Sequence, residues 1–404
     1  MLNDARRWLL RDSTAFPISA LHGLVNGYMN PRRDTFPDDW HWGVVFSPLF
    51  GGQQSIGFEA GISYSLPRRA DPPPQTAEFK LSGRWGVTGS RDATLQFRAP
   101  AWHRDWQFLG QIRLERLQRT PYFGVNNQAR VEDSLEQAYG MVFYRYALLR
   151  TTLFGTVTRR IRGPLWIQAG FQRRNYRTTA LADDPTLFGR DVAAGLLRDT
   201  TYYQAIEGRI GLRLDTRDYW DAPESGVLVE VMLASGELDN RSDDIHTSYR
   251  RFLLGAREFV RLTSRTNLAL RQQTALSSDT LPYFLAYEQL TTGLPDDGVI
   301  GPRSIRLHGS GNQLASNQTF TSFEVRHKLI NFREDPVIPL RLWALGFGDY
   351  GVLYEPKQDQ ATFHYQWALG AGLRLQLHKA SMVGFDFGVT ELGAELVVLT
   401  YFAF

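Results

Sequence analysis

The feature that most constrains this chain is a period of two in its apolar residues, sustained from about Ser55 to Phe404. Ile56, Phe58, Ala60, Ile62, Tyr64 and Leu66 alternate with Gly57, Glu59, Gly61, Ser63 and Ser65. Ile206, Ile210, Leu212 and Leu214 alternate with Glu207, Arg209, Arg213 and Asp215. Trp367, Leu369, Ala371, Leu373 and Leu375 alternate with Gln366, Gly370, Arg374 and Gln376, and Val383, Phe385, Phe387 and Val389 alternate with Gly384, Asp386 and Gly388. Successive side chains of a strand point to opposite faces, so this period means strands with one apolar and one polar face.

A soluble sandwich alternates as well, and three observations argue against one. The runs near 139–161, 203–218, 245–261 and 362–378 exceed the ~5–6 residues usual for a globular strand, whereas a tilted membrane strand needs ~9–11. Glu, Arg and Asp recur in mid-strand on the polar face, as a wet lumen requires. Tight turns at Arg162-Gly163 and Ser264-Arg265 alternate with long polar connections at 179–202, 238–246, 278–299 and 351–361, the pattern of short periplasmic turns and long extracellular loops. The expected fold is all-β: a transmembrane antiparallel β-barrel of about 16 strands. The first strand is expected at 55–66, the eleventh at 300–308 and the last at 393–404. An even number places the N- and C-termini together on the periplasmic side. In hydrocarbon every backbone N–H and C=O must be paired, and only closure removes the edges. A one-residue slip would turn Arg374 or Glu207 toward lipid, at ~2–4 kcal/mol for an arginine at the midplane, so the alternation specifies register as well as fold.

Composition narrows the function. The 404 residues contain no cysteine and carry a formal net charge of +3. Disulfide frameworks, thiolate zinc sites and cysteine nucleophiles are therefore excluded. Lysine occurs only at Lys80, Lys328, Lys357 and Lys379, and the arginines are scattered with no basic block, which argues against nucleic acid. No run reaches the ~18 apolar residues of a transmembrane helix. Residues 1–41 differ from the rest: Trp8, Leu9 and Leu10 suit a short helix, while Pro17, Pro31 and Pro37 break the chain beyond it. They read as a periplasmic tail, a plug or a domain remnant ahead of a barrel spanning 42–404. Arg11 and Asp12 interrupt any signal-peptide core after Arg6 and Arg7, so a mature form or a fragment is expected.

No catalytic constellation is visible. Gly309-Ser310-Gly311 lacks the strand-to-helix setting of a nucleophile elbow. The eight histidines show no metal spacing. Asp215 and Asp218 are explained by turn chemistry and pairing with Arg217. No enzyme activity, metal or cofactor is expected.

The chain ends on an apolar strand, Leu396 to Phe404, with Phe402 and Phe404 on one face. This ending resembles the signal by which outer-membrane barrels are recognised and inserted. Leu214-Asp215-Thr216-Arg217-Asp218, followed by Pro223 and Gly226, is similar to the D-x-R-D…P-x-x-G strand–turn–strand of the bacterial surface antigen family, the BamA/TamA-type barrel superfamily. Tyr122-Phe123-Gly124-Val125-Asn126-Asn127 resembles its Y-[YF]-G-x-G-N segment. Ile305-Arg306, Glu324 with Arg326, and Phe347-Gly348-Asp349-Tyr350-Gly351 follow that family's order of loop arginine, E-x-R strand and F-x-D-x-G strand. The resemblance covers roughly residues 42–404. It implies that the loop arginine, Arg306, folds into the lumen and pairs with Glu324 and Asp349. The family's V-R-G-[FY] reads Ile305-Arg306-Leu307-His308 here, so the arginine aligns while the glycine and aromatic do not. Arg306 as one of many lumen or loop arginines stays open. Asp349 is in step with Trp343, Leu345 and Phe347; simple alternation would turn that set toward lipid, and the family places it inward. Either the strand bends near Gly346 and Gly348 or its lumen face is apolar.

The resemblance implies an outer-membrane protein of the assembly and translocation class that acts without covalent chemistry. Its partners would be outer-membrane lipid and lipopolysaccharide, the barrel assembly machinery during insertion, and a polypeptide client, with the chain itself a monomer. A weak seam between the first and last strands, softened by Gly51, Gly52, Gly57 and Gly61, would open for a client; equally, those glycines serve packing in a plainly closed barrel. The alternative is a passive anchor or pore for an upstream periplasmic or catalytic domain, and a third reading is an outer-membrane enzyme.

Overall fold

The computed structural model describes residues 41–399 except 51–55, 68–74, 87–88, 104, 126–131, 182–184, 219–222, 242–244, 287, 290–295, 298–314, 332–339, 356–362, 378–380 and 392. One antiparallel sheet of sixteen strands dominates it. The strands are β1 (His41–Phe50), β2 (Ile56–Pro67), β3 (Gln75–Gly86), β4 (Arg91–His103), β5 (Trp106–Pro121), β6 (Arg145–Arg162), β7 (Leu165–Thr179), β8 (Thr200–Asp215), β9 (Gly226–Asn240), β10 (Ile245–Arg261), β11 (Thr266–Ser277), β14 (Asn317–Asn331), β15 (Leu340–Tyr354), β16 (His364–Leu377), β17 (Ser381–Thr390) and β18 (Gly393–Leu399). A two-residue ribbon, β12 (Glu288–Gln289) with β13 (Asp296–Asp297), stands apart in the long connection between β11 and β14. Short helices punctuate the long connections: α1 (Asp133–Tyr139), a 3-10 turn (Met141–Tyr144) and α2 (Leu187–Ala193) lie in earlier ones, and α3 (Tyr283–Ala286) precedes the ribbon in the connection between β11 and β14.

Each strand of the sheet pairs with its neighbours in chain order. Among the described residues the sheet has sixteen strands, the number expected, but not the same sixteen. His41–Phe50 is an added first strand, paired with β2 from His41↔Ser65 to Phe50↔Ile56. β11 pairs directly with β14, and the segment 300–308, where a strand was expected, lies outside the described residues. The exchange has a geometric consequence. With β1 in front, the tight turns after β6 and β10 fall at the same end of the sheet as the two end strands' outer termini. Counting from 55–66 would have put them at the opposite end. We call this the terminus side, and the end bearing the long connections the loop side.

The burial pattern is inverted relative to a water-soluble protein. One face carries Ile112, Leu114, Leu153, Phe171, Ile210, Leu233, Leu369, Phe385 and Phe387, all well exposed, Leu233 at 59% and Phe387 at 60%. The opposite face buries Asp92, Glu115, Arg150, Glu207, Arg209, Arg326, Arg374 and Asp386, the last two at 0%. Monomeric soluble proteins rarely expose contiguous apolar surface on this scale. A sheet whose outer face is hydrocarbon-like and whose inner face is charged is stable where the outer medium is itself apolar.

Candidate functional site: inner wall, loop cap and seam

The inner wall is held by ion pairs between strands. Arg113 Nη2 lies 2.6 Å from both Asp92 Oδ2 and Glu115 Oε1. Arg150 Nε donates to Glu115 Oε2 at 2.5 Å, and Arg84 joins Asp92 at 2.9 Å. Four consecutive strands, β3 to β6, are thus cross-linked by charge. Arg209 Nε donates to Glu207 at 3.0 Å, and Arg251 reaches the same carboxylate at 3.9 Å. Arg374 binds Asp386 in a two-pronged arrangement at 2.6 and 2.7 Å. Such pairs are shielded from water, so removing one member leaves an uncompensated buried charge.

The residues singled out from sequence fall in four places. Glu324 is fully buried on β14 and accepts from Arg326 Nε at 2.5 Å. Asp349, on β15, is buried and accepts from the Ser322 hydroxyl. The register sets Ser322 opposite Asp349 and Glu324 opposite Phe347, so both carboxylates share the inner face of adjacent strands. Trp343, Leu345 and Phe347 are buried beside them, and the register of β15 on β16 runs without a shift through Gly346 and Gly348. Trp343, Leu345 and Phe347 therefore line this inner face together with Asp349. Gly348 leaves room for the ring of Phe323 across the ladder, which a Cβ would meet at 2.4 Å. Arg306, Phe402 and Phe404 lie outside the described residues, as do Gly51 and Gly52. Gly57 and Gly61 belong to β2, one strand inward from the end of the sheet rather than in the first strand.

The expected turn motif forms a compact hydrogen-bonded unit between β8 and β9. Asp215 accepts from Arg217 Nε at 2.9 Å and from Arg213 Nη2 at 2.6 Å. Asp218 accepts from the backbone N–H groups of Glu224 and Ser225 at 3.0 and 3.2 Å, and from the Ser225 hydroxyl at 3.1 Å. Pro223 is buried. Gly226 starts β9 at φ +104°, a conformation open to glycine at no steric cost.

A feature not foreseen from sequence lies at the loop side of the inner face. Tyr122, Phe188 of α2 and Tyr283 of α3 meet Tyr146 of β6 in one aromatic cluster: Tyr146 stacks on Phe188 at 5.4 Å, and the edge-on pairs have ring centroids 4.8 Å apart for Tyr122–Tyr283 and 5.1 Å for Tyr122–Phe188 and Tyr146–Tyr283. Phe284 packs on Tyr176 of β7 and Tyr203 of β8 at 4.7 and 4.4 Å. Tyr122, α2 and α3, which belong to three different connections, therefore meet at the loop-side mouth. Burial pushes the Tyr122 phenol well above its usual range, so it stays protonated and donates to Asp191 Oδ2 at 2.5 Å. The roots of the long connection are pinned as well. Leu281 N–H donates to Ser316 Oγ, Ser316 N–H donates to Glu355, and Gln318 Nε2 donates to the Ala286 carbonyl. The available signal was aromatic pairs, Tyr122-Phe123, Phe143-Tyr144 and Tyr283-Phe284, inside otherwise polar connections.

The seam lies between the ends of the sheet. Cα atoms of β1 and β18 come within 8 Å of each other, yet no hydrogen-bonded ladder joins them among the described residues. Among the described residues, seven residue pairs join β18 to β17 and fifteen join β7 to β8.

No protein-family model matches this chain, and no curated protein matches it by sequence. Solved structures do match. The chain superposes on BamA from Haemophilus ducreyi, a structure lacking POTRA domains 1–3, with a TM-score of 0.55 and 13% identity, covering 89% of this chain and 70% of that one. On CdiB from Escherichia coli the TM-score is 0.56 at 12% identity, covering 90% of this chain and 62% of that one. The chain thus spans less than two thirds of the CdiB chain. At such identities the likeness concerns architecture, and the inverted faces agree with it: this chain has the fold of BamA- and CdiB-type outer-membrane β-barrels.

Proposed function

We propose that this protein is an integral barrel of the bacterial outer membrane, of the assembly and translocation class, working at the β1–β18 seam without covalent chemistry. The observation that carries this reading is the seam itself: two edge strands side by side with no ladder between them among the described residues, in a sheet whose outer face is apolar. An unpaired edge offers N–H and C=O groups to an incoming strand. In hydrocarbon the drive to pair them is strong, because each unsatisfied group costs several kcal/mol. The partners of such a barrel are lipid and lipopolysaccharide around it, the assembly machinery that inserts it, and a polypeptide client at its edge, with the barrel itself a monomer. The natural absence of cysteine makes the test clean. Cysteine pairs introduced along 41–50 and 393–399 should form disulfides in more than one register, and cross-linking should abolish client insertion or passage. A single fully occupied register whose cross-linking leaves client handling unchanged would sink the proposal.

A second reading, a passive anchor, is favoured by one observation: an aromatic cluster from three connections packs at the loop side, which suits a barrel that holds rather than conducts. Planar-bilayer recordings separate the two through the seam: an anchor stays silent whether or not the seam is cross-linked, while a translocating barrel shows openings that cross-linking removes.

We also propose the loop lock, with Arg306 pairing Glu324 and Asp349. Its support is that both carboxylates face inward from adjacent strands at neighbouring register positions. Arg306→Ala should raise protease sensitivity of the 278–316 connection and change conductance; both unchanged would remove the lock.

A further inference from the structure

The β8–β9 turn does more than reverse the chain. Glu224 sits two residues before β9 begins, yet its Oε1 accepts from Lys328 Nζ on β14 at 2.5 Å. Its Oε2 lies 3.3 Å from Arg261 Nη2 at the terminus-side end of β10, where Arg261 also reaches Asp218 at 3.2 Å. Lys328 in turn lies 4.9 Å over the Trp343 ring of β15. Lys328 is in step with Glu324 and Arg326, so the Glu224 carboxylate meets it inside the mouth of the sheet. The Glu224 and Lys328 side chains are only 13% and 11% exposed.

The distance spanned gives this contact its meaning. Neighbouring strands lie ~4.8 Å apart, so β9 and β14 are three ladder steps, ~14 Å, apart along the wall. Two extended residues reach ~7 Å, and the two long side chains cover the remainder. The turn is preset for that reach by the three hydrogen bonds that Asp218 accepts from Glu224 and Ser225 and by the positive φ of Gly226. A chord of this kind, tied to β10 midway and to β14 at its far end, resists both flattening and spreading of the arc it crosses.

We propose that the β8–β9 turn is an internal strap, with Glu224 as its buckle, that locks the β9–β14 arc at the terminus-side mouth. Movement of the wall is thereby confined to the arc carrying the β1–β18 seam. The strap stands independently of whether that seam serves a client.

The chain's four lysines make the strap directly testable. In folded, detergent-solubilised protein, a water-soluble carbodiimide activates the Glu224 carboxyl, and the Lys328 amine condenses with it to an amide with net loss of water. Mass spectrometry should find the Glu224–Lys328 linked peptide, and should not find it after heat unfolding in SDS or in Glu224→Gln. Lys328 unlinked, or joined to another carboxylate, overturns the strap. Hydrogen exchange supplies a readout that a merely local contact would not move. Glu224→Gln and Lys328→Met should each speed exchange at the terminus-side ends of β10, β11 and β14 by roughly three- to tenfold, and the double variant should be no faster than the worse single. Effects that multiply in the double variant, or exchange that changes only within 216–225, would overturn it.

Discussion

A Cβ on Gly226 would lie 2.4 Å from the Thr216 carbonyl oxygen, in a backbone at φ +104°. Gly226→Ala therefore meets strain and a clash together, and should destabilise the folded barrel by about 2 kcal/mol or more, read as a lower urea midpoint in detergent. At Arg374 the decisive quantity is charge. Arg374→Met leaves Asp386, fully buried, without its two-pronged partner, a change worth ~3–5 kcal/mol. Adding Asp386→Leu should recover most of that loss. The inward setting of Arg374 and Glu207 was legible from alternation alone, since a charge in mid-strand has only one affordable side. Asp349 was not, because that rule assumes a polar inner face, and β15 lines its own with Trp343, Leu345 and Phe347.

Elements were legible where both faces have a clear character. His41–Phe50 was missed because its sequence, HWGVVFSPLF, runs apolar without a period of two and carries Pro48, a residue confined to edge positions; as the first strand of the sheet it is such an edge. The run expected to begin at 139 starts instead at Arg145, because Gly140 takes φ +69° and Met141–Tyr144 forms a 3-10 turn whose aromatic residues serve the cap. Aromatic residues that pack against other loops leave no periodic trace, so the cap was invisible to pattern reading. Two outcomes test these elements. Leu233→Arg, in mid-strand on the outer face of β9, should cost ~2–4 kcal/mol in a bilayer and reduce the inserted fraction, whereas in urea-unfolded chain it changes nothing. Tyr283→Ala removes the ring shared by Tyr122, Tyr146 and Phe188; it should loosen the loop-side cap, seen as faster proteolysis of 180–199 and a rise in bilayer conductance.

For the whole molecule, a closed sheet in detergent should migrate faster unboiled than boiled on a denaturing gel, and identical migration would argue against the barrel. The fold class was readable because a period of two over some 350 residues admits few architectures. Which end of the barrel each turn occupies was not, since it depends on a count that one missed strand reverses.

Pairing in strict chain order also bears on how the barrel is made. Every ladder but one joins strands that follow each other directly, so the sheet can grow hairpin by hairpin, each step closing a loop whose entropic cost rises only with the logarithm of its length. The long connection before β14 is the largest of these local steps. Joining β1 to β18 is different in kind: it brings together the two ends of the whole sheet, and such non-local contacts form slowly. The nascent protein should therefore pass through a curled, hairpin-rich sheet with open edges, and its rate of maturation should respond to changes in β1 and β18 far more than to equal changes in β6 or β7.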